Sequence, residues 1–255
     1  MQPILEVCAC SVQSVLNAER AGASRVELCE NLFIGGTTPS YGCLKVAREQ
    51  STIPIYVLIR PRAGDFCYSR LELEQIKNDI IIAKSLKADG IVCGVLHGNG
   101  KVNEQQTREL VELSYPLPFT FHRAFDFTPD PYEALEAIIR CRAGRILTSG
   151  QQNKAFNAID LLTNLVERAA NRIVIMPGSG VNSDTVPELV KTGAVEFHAS
   201  GVTTVESSMT YRKKSLSLNG SMLPDYANQE TNEANIRNII AILQKTNNET
   251  PPTNL

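Results

Sequence analysis

Arg20-Ala21-Gly22-Ala23-Ser24-Arg25-Val26-Glu27-Leu28-Cys29 sets a helix stop directly before a short strand. A glycine able to take the left-handed conformation ends the helix, and a mostly apolar run begins at once. The same signal returns in Lys87-Ala88-Asp89-Gly90, Arg142-Ala143-Gly144 and Lys191-Thr192-Gly193-Ala194. Working outward, eight such runs are found, at 4–8, 25–29, 55–60, 90–95, 119–122, 145–149, 173–176 and 194–199. Amphipathic stretches alternate with them, at 11–21, 40–50, 72–86, 103–114, 131–141, 155–170 and 183–192, with an eighth within 232–244. Asp130-Pro131 marks one helix start sharply, a capping side chain followed by proline at the first helical position.

Short strands alternating with helical crossovers predict parallel strands, and eight repeats predict a single-domain α/β chain of the TIM-type (β/α)8 barrel class. The length of 255 residues suits one such barrel, which needs about 250. A doubly wound open sheet is disfavoured because no fingerprint glycine loop follows the first strand. No linker divides residues 1–245, so the barrel is expected to span them, with 246–255 as a flexible tail. The polar stretch 215–231 reads as a long excursion before the last helix.

Hydrophobic content of 43% with 20% charged residues is globular composition, and a formal net charge of −2 argues against nucleic acid as a partner. The start MQPILEVCACSV has no basic leader and carries Glu6 in its apolar run, so neither export nor a membrane span is expected, and the cytoplasm is the expected location. Seven cysteines at irregular intervals, with no CxxC pair, read as reduced thiols rather than a disulfide framework.

In a parallel barrel, functional groups gather where strands end and βα-loops begin. Glu6 and Cys8 share a face of the first strand, Glu27 and Cys29 of the second, Thr120 and His122 of the fifth, and Glu196 and His198 of the eighth. Arg60, Arg62 and Asp65 follow the third strand, and Arg123 and Asp126 the fifth. The competing structural reading pairs Glu6, Glu27 and Glu196 with Arg60, Arg62 or Arg123 as a buried ion-pair ring. Cys43, Cys93 and Cys141 read as packing. Gly178-Ser179-Gly180 after the seventh strand and Ser200-Gly201 after the eighth can offer backbone N–H groups to an anion, and Thr148-Ser149-Gly150-Gln151 adds small donors at the same rim.

Val26-Glu27-Leu28-Cys29, Gly35-Gly36-Thr37-Thr38-Pro39-Ser40, Arg60-Pro61-Arg62, Gly64-Asp65-Phe66, Thr120-Phe121-His122-Arg123-Ala124-Phe125-Asp126 and Leu147-Thr148-Ser149-Gly150 together resemble the CutC family over residues 1–245. The resemblance implies a TIM-type barrel, a cytoplasmic location, a homodimer or homotetramer, and copper handling, with Cys8 and Cys29 as Cu(I) ligands. Ala63 stands where many members have glycine, and His97-Gly98-Asn99-Gly100 replaces a more usual acidic turn. Cu(I) favours soft thiolates and accepts two of them, and His122 or His198 could support the pair.

Two functions compete. The first is copper homeostasis through Cu(I) held by Cys8 and Cys29, with His122 and His198 as further metal candidates. The second is an enzyme acting on a small phosphorylated or anionic metabolite. There Arg60, Arg62, Gly178, Ser179, Gly180, Ser200 and Gly201 would bind the anion, and Glu27, His122 or Asp126 would move protons. A Schiff-base aldolase is disfavoured because no lysine lies in the strands. A scaffold without catalysis is the third reading.

Overall fold

The first five helices each begin at a capping side chain. The computed structural model describes residues 3–213, 215–217 and 224–249. In it the strands β1 (Ile4–Ala9), β2 (Arg25–Leu28), β3 (Ile55–Leu58), β4 (Gly90–Cys93), β5 (Phe119–Phe121), β6 (Arg145–Thr148), β7 (Val174–Pro177) and β8 (Glu196–Ala199) alternate with helices. These are α1 (Val12–Ala21), α2 (Tyr41–Gln50), α3 (Arg70–Ser85), α4 (Glu104–Ser114), α5 (Pro131–Arg140), α6 (Ile159–Ala169), α7 (Val186–Val190) and α8 (Glu233–Glu249). Ser11, Ser40, Ser69, Asn103 and Asp130 cap α1 to α5, each accepting from backbone N–H groups in the first turn.

Two of the stop signals work as read, with Gly22 (φ 86°) and Gly193 (φ 81°) left-handed. In the other two the residue is Lys87 (φ 61°) or Arg142 (φ 64°), and the glycine follows in an ordinary conformation. Gly90 is needed for space instead: a Cβ there would lie 2.6 Å from the ring of Tyr56, its register partner on β3.

All eight strands are parallel, in the order β7-β6-β5-β4-β3-β2-β1-β8, and β7 meets β8 through the Gly178–His198 bridge. The (β/α)8 barrel expected from the pattern is the fold. Strand parity then divides the core in two. Leu5, Val7, Val26, Leu28, Ile55, Val57 and Phe197 face outward and pack with the helices in the main core. Cys8, Cys29, Tyr56, Leu58 and Val92 form a separate buried cluster with the opposite parity, inside the barrel.

Below that cluster the interior is ionic. Arg25 Nε donates to Glu6 Oε2 at 2.5 Å and its Nη2 to Glu196, while Arg145 Nε donates to Glu196 Oε2 at 2.7 Å. The guanidinium carbons of Arg25 and Arg145 stand 5.0 and 5.4 Å from the centroid of the Tyr56 ring. Gly90 therefore seats an aromatic plate against both cations. Burial works to raise the Glu6 carboxyl, but hydrogen bonding from His198 and the charge of Arg25 outweigh it and hold the group at about 2. Burial likewise opposes Glu196, and Arg145 and Arg25 bring it below the ordinary carboxylate value.

Other expectations are corrected. The cations opposite Glu6 and Glu196 are Arg25 and Arg145, not Arg60, Arg62 or Arg123. Residues 155–170 split into a 3-10 turn, Ala155–Ala158, and α6. α7 starts later than read because the Asn182 side chain accepts the N–H groups of Asp184 and Thr185 and holds 183–185 as a turn. The excursion is bounded by a hairpin, β9 (Val202–Glu206) with β10 (Ala227–Thr231), and the rest of 215–231 lies partly outside the described residues. The hairpin docks on α1, where Asn17 donates to the Thr231 carbonyl at 2.8 Å and Ser14 Oγ accepts from its N–H at 3.1 Å. α8 continues to Glu249, into the segment read as a tail, and 250–255 lie outside the described residues.

Arg62 points away from the barrel mouth. Its guanidinium pairs with Glu72 and donates to Asp65 Oδ1 at 3.2 Å, so it braces the start of α3. Glu72 also accepts the Ser69 N–H at 2.7 Å, completing a capping box. Ala63 needs no left-handed backbone, since Gly64 (φ 88°) takes that conformation.

Replacing Glu196 with alanine leaves two buried guanidiniums undercompensated and should cost about 3–5 kcal/mol by urea denaturation. Glu196→Leu with Arg145→Met should cost far less than the two single changes summed; an additive result would show that the pair is not coupled. At α3, the Ser69 N–H and side chain together with Arg62 hold the Glu72 carboxyl at about 2. A depressed carboxylate stabilises above its unfolded value, about 4.5, and that contribution disappears as pH falls towards 2. The Tm gap between wild type and Glu72→Ala should therefore be full at neutral pH and shrink across that window; a gap independent of pH would remove the charge from the account.

Candidate functional site

The C-terminal ends of the strands surround a cavity of about 640 Å³ lined by Cys8, Glu27, Arg60, His122, His198 and the loops after β7 and β8. Strand parity places these groups: Cys8, Glu27 and His198 each follow a residue of the ionic layer by two positions, and Arg60 and His122 lie just past the ends of β3 and β5. α8 contributes Asn235 and Ile239 to the wall.

At the floor, Cys8 Sγ lies 3.6 Å from Cys29 Sγ. A donor atom from each of Cys8, Glu27 and His198 falls within 4.8 Å of the others. His198 Nδ1 is 2.8 Å from Glu6 Oε1, which leaves Nε2 as the ring nitrogen free for a ligand. Burial lowers the His198 pKa, but the Glu6 hydrogen bond and the Glu27 carboxyl turn the balance upward. Hydrogen bonding to Cys29 and burial raise the Cys8 thiol well above its ordinary value. Burial pushes the Glu27 carboxyl up to about 7, and its Oε2 has no hydrogen-bond partner.

Cys29 is fully buried beneath the Gly35-Gly36 turn. A Cβ on Gly36 (φ 85°) would lie 2.7 Å from Leu58 Cδ2 and 3.4 Å from Cys29 Cβ, so only glycine lets this loop cover the thiol. Arg60 Nη1 holds the loop down through the carbonyls of Gly36 at 2.7 Å and Ile34 at 2.9 Å, and Nη2 reaches the Gly64 carbonyl at 2.9 Å.

His122 stands apart from the donor group at the floor. Its Nδ1 accepts the Ala124 N–H at 3.2 Å and its ring packs 4.9 Å from Phe66, leaving Nε2 buried and unpartnered. Burial, reinforced by the Arg60 charge, lowers its pKa to about 3, so the imidazole is neutral with its proton on Nε2.

Asp126 is fully engaged elsewhere. It accepts from Arg123 Nε, Thr148 Oγ1, the Ser149 N–H and the Gln151 N–H, bracing the loop after β6 rather than lining the cavity. It has no lone pair free for proton transfer, unlike the acid/base role considered for it. Gly178 also lies outside the lining: its N–H bonds the Thr148 carbonyl at 2.8 Å, and a Cβ would strike Leu147 at 2.4 Å. Ser179 Oγ donates to the Asn153 carbonyl at 2.7 Å. Ser179, Gly180, Ser200 and Gly201 do line the cavity, and the N–H groups of Gly180, Val181, Ser200 and Gly201 have no acceptor among the described residues.

Residues 3–203 match the CutC family model. A relative from Chromobacterium violaceum named as a family protein CutC is 43% identical over 246 residues, 96% of this chain and 100% of its own. The copper homeostasis protein cutC homolog of Homo sapiens is 42% identical over 241 residues, covering 94% of this chain and 88% of its own. A solved structure of CutC from Streptococcus agalactiae superposes with a TM-score of 0.73 at 36% identity, covering 77% of this chain and 98% of that one.

Proposed function

The chain belongs to the CutC family, and from that premise we propose that it serves copper homeostasis by binding Cu(I) between Cys8 and Cys29 at the floor of the barrel mouth. The observation that carries this reading is the 3.6 Å separation of the two sulfurs on adjoining strands. Two soft donors already side by side need little backbone movement to close on a soft ion. Cys8 opens onto the cavity and Cys29 lies behind it, so copper enters through Cys8.

His198 is the better third donor of the two histidines. Its Nδ1 contact to Glu6 is the carboxylate–histidine arrangement that fixes ring orientation and raises ligand basicity at metal sites. The raised Cys8 pKa means that copper must displace a proton to bind, and copper supplies the charge that a thiolate lacks in this buried setting. A reducing compartment keeps such a pair open, which supports the cytoplasm as its location. No described helix is long and apolar enough to cross a membrane.

Changing Cys8 and Cys29 together to serine should lower Cu(I) affinity by about a hundredfold or more in competition with a calibrated chelator, because hydroxyls are poor ligands for a soft ion. Cys43→Ser with Cys141→Ser should leave affinity unchanged. Equal affinity in wild type and the Cys8/Cys29 variant would move copper elsewhere on the protein.

A further inference from the structure

Arg60 is a buried cation without a counter-ion. Its residue is 6% exposed, and its partners are all neutral: the carbonyls of Ile34, Gly36 and Gly64, the nearby Tyr68 hydroxyl, and the Phe66 ring 5.2 Å from its guanidinium carbon. Among the described residues no carboxylate pairs with it, and its Nε has no partner by hydrogen-bond geometry. A guanidinium out of water is costly unless a negative charge accompanies it. Arg25 and Arg145, the other buried arginines of the barrel, both have carboxylates.

Two more orphan polar atoms, His122 Nε2 and Glu27 Oε2, belong to residues of the same cavity wall, each 4% exposed. Buried polar side chains almost always have partners, so three unpartnered atoms in one cavity indicate a missing one. The complement they define has a specific composition. Arg60 Nε and His122 Nε2 are donors and call for an oxyanion; the Glu27 carboxyl oxygen calls for a hydroxyl. The free N–H groups of Gly180, Val181, Ser200 and Gly201 supply further donors from the loops after β7 and β8.

We propose that the barrel mouth binds a small hydroxylated organic anion, a carboxylate or a phosphate monoester, with its oxyanion on Arg60 and His122 and a hydroxyl on Glu27. The cavity of about 640 Å³ admits a metabolite of this kind. The site uses neither sulfur, although its Glu27 lies within 4.8 Å of the Cys8 and His198 donor atoms, so it adjoins the copper site. It gives the chain a small-molecule ligand in addition to a metal.

Calorimetry on chelator-treated, copper-free protein tests this with glycerol 3-phosphate and glycerate as probes and glycerol as the neutral control. At least one anion should bind and glycerol should not; whichever anion binds more tightly identifies the headgroup. Arg60→Gln should weaken binding about tenfold or more, the equivalent of one charged hydrogen bond. Because Arg60 also anchors the Gly35-Gly36 turn, His122→Asn provides a second variant: its amide oxygen can still accept the Ala124 N–H while the Nε2 donor is lost, and binding should weaken several-fold. The Cys8→Ser/Cys29→Ser protein should bind the anion as wild type does, even if it has lost copper. Absence of binding by both anions, binding of glycerol with equal affinity, or unchanged affinity in both Arg60→Gln and His122→Asn would overturn the assignment.

Discussion

The barrel depends on a neutral layer of charge. Glu6 from β1, Arg25 from β2, Arg145 from β6 and Glu196 from β8 meet inside it, two carboxylates against two guanidiniums. None of the four can leave without stranding a buried charge, so the layer fixes the relative positions of four strands more strictly than apolar side chains would. Tyr56 covers the cations, and Gly90 makes room for Tyr56. The mouth is built on this floor. Glu6 uses its second oxygen to set the His198 ring, and His198 and Cys8 then bracket Glu27, the interior acid that the layer leaves without a cation.

Polar groups that follow the C-terminal ends of the strands fall into two populations. Arg62, Arg123 and Asp126 are engaged in bracing loops: Arg62 at the start of α3, and Arg123 with Asp126 across the end of β6. Arg60, His122 and Glu27 each retain an atom with no partner. Charge type alone does not separate these sets. What separates them is reach: Asp126 lies close enough to the β6 loop to collect four kinds of donor, whereas Glu27 is confined to a strand face where the available cations are already paired.

Strand number, strand positions and the clustering of Glu27, Arg60, His122 and His198 around one cavity could be read from periodicity and parity, because both are local properties of the chain. The roles of Arg25 and Arg145 were equally visible: Arg25 has the parity of Glu27, and Arg145 that of Leu147, which lines the cavity. They begin their strands, where a charged residue normally reads as a solvent boundary, and that position hides their interior role. The fates of Arg62 and Asp126 were not legible, since they depend on loop paths that no period encodes. The β9–β10 hairpin divides in the same way. Val202-Thr203-Thr204-Val205 has strand composition, but Ala227-Asn228-Gln229-Glu230-Thr231 becomes a strand through pairing and through docking on α1.

The contact between Glu6 and His198 spans 192 residues of chain. At a synthesis rate of roughly 5–20 residues per second, the ribosome delivers β8 about 10–40 s after β1. Through that interval β1 is an open edge, with backbone groups able to pair with another nascent chain. Its interior face presents Glu6, and the neighbouring strand presents Arg25, already within reach of each other across adjacent strands. Inward-pointing charges make an unfinished edge a poor template for association. The residues that lock the completed ring thus also guard it while it is still being made.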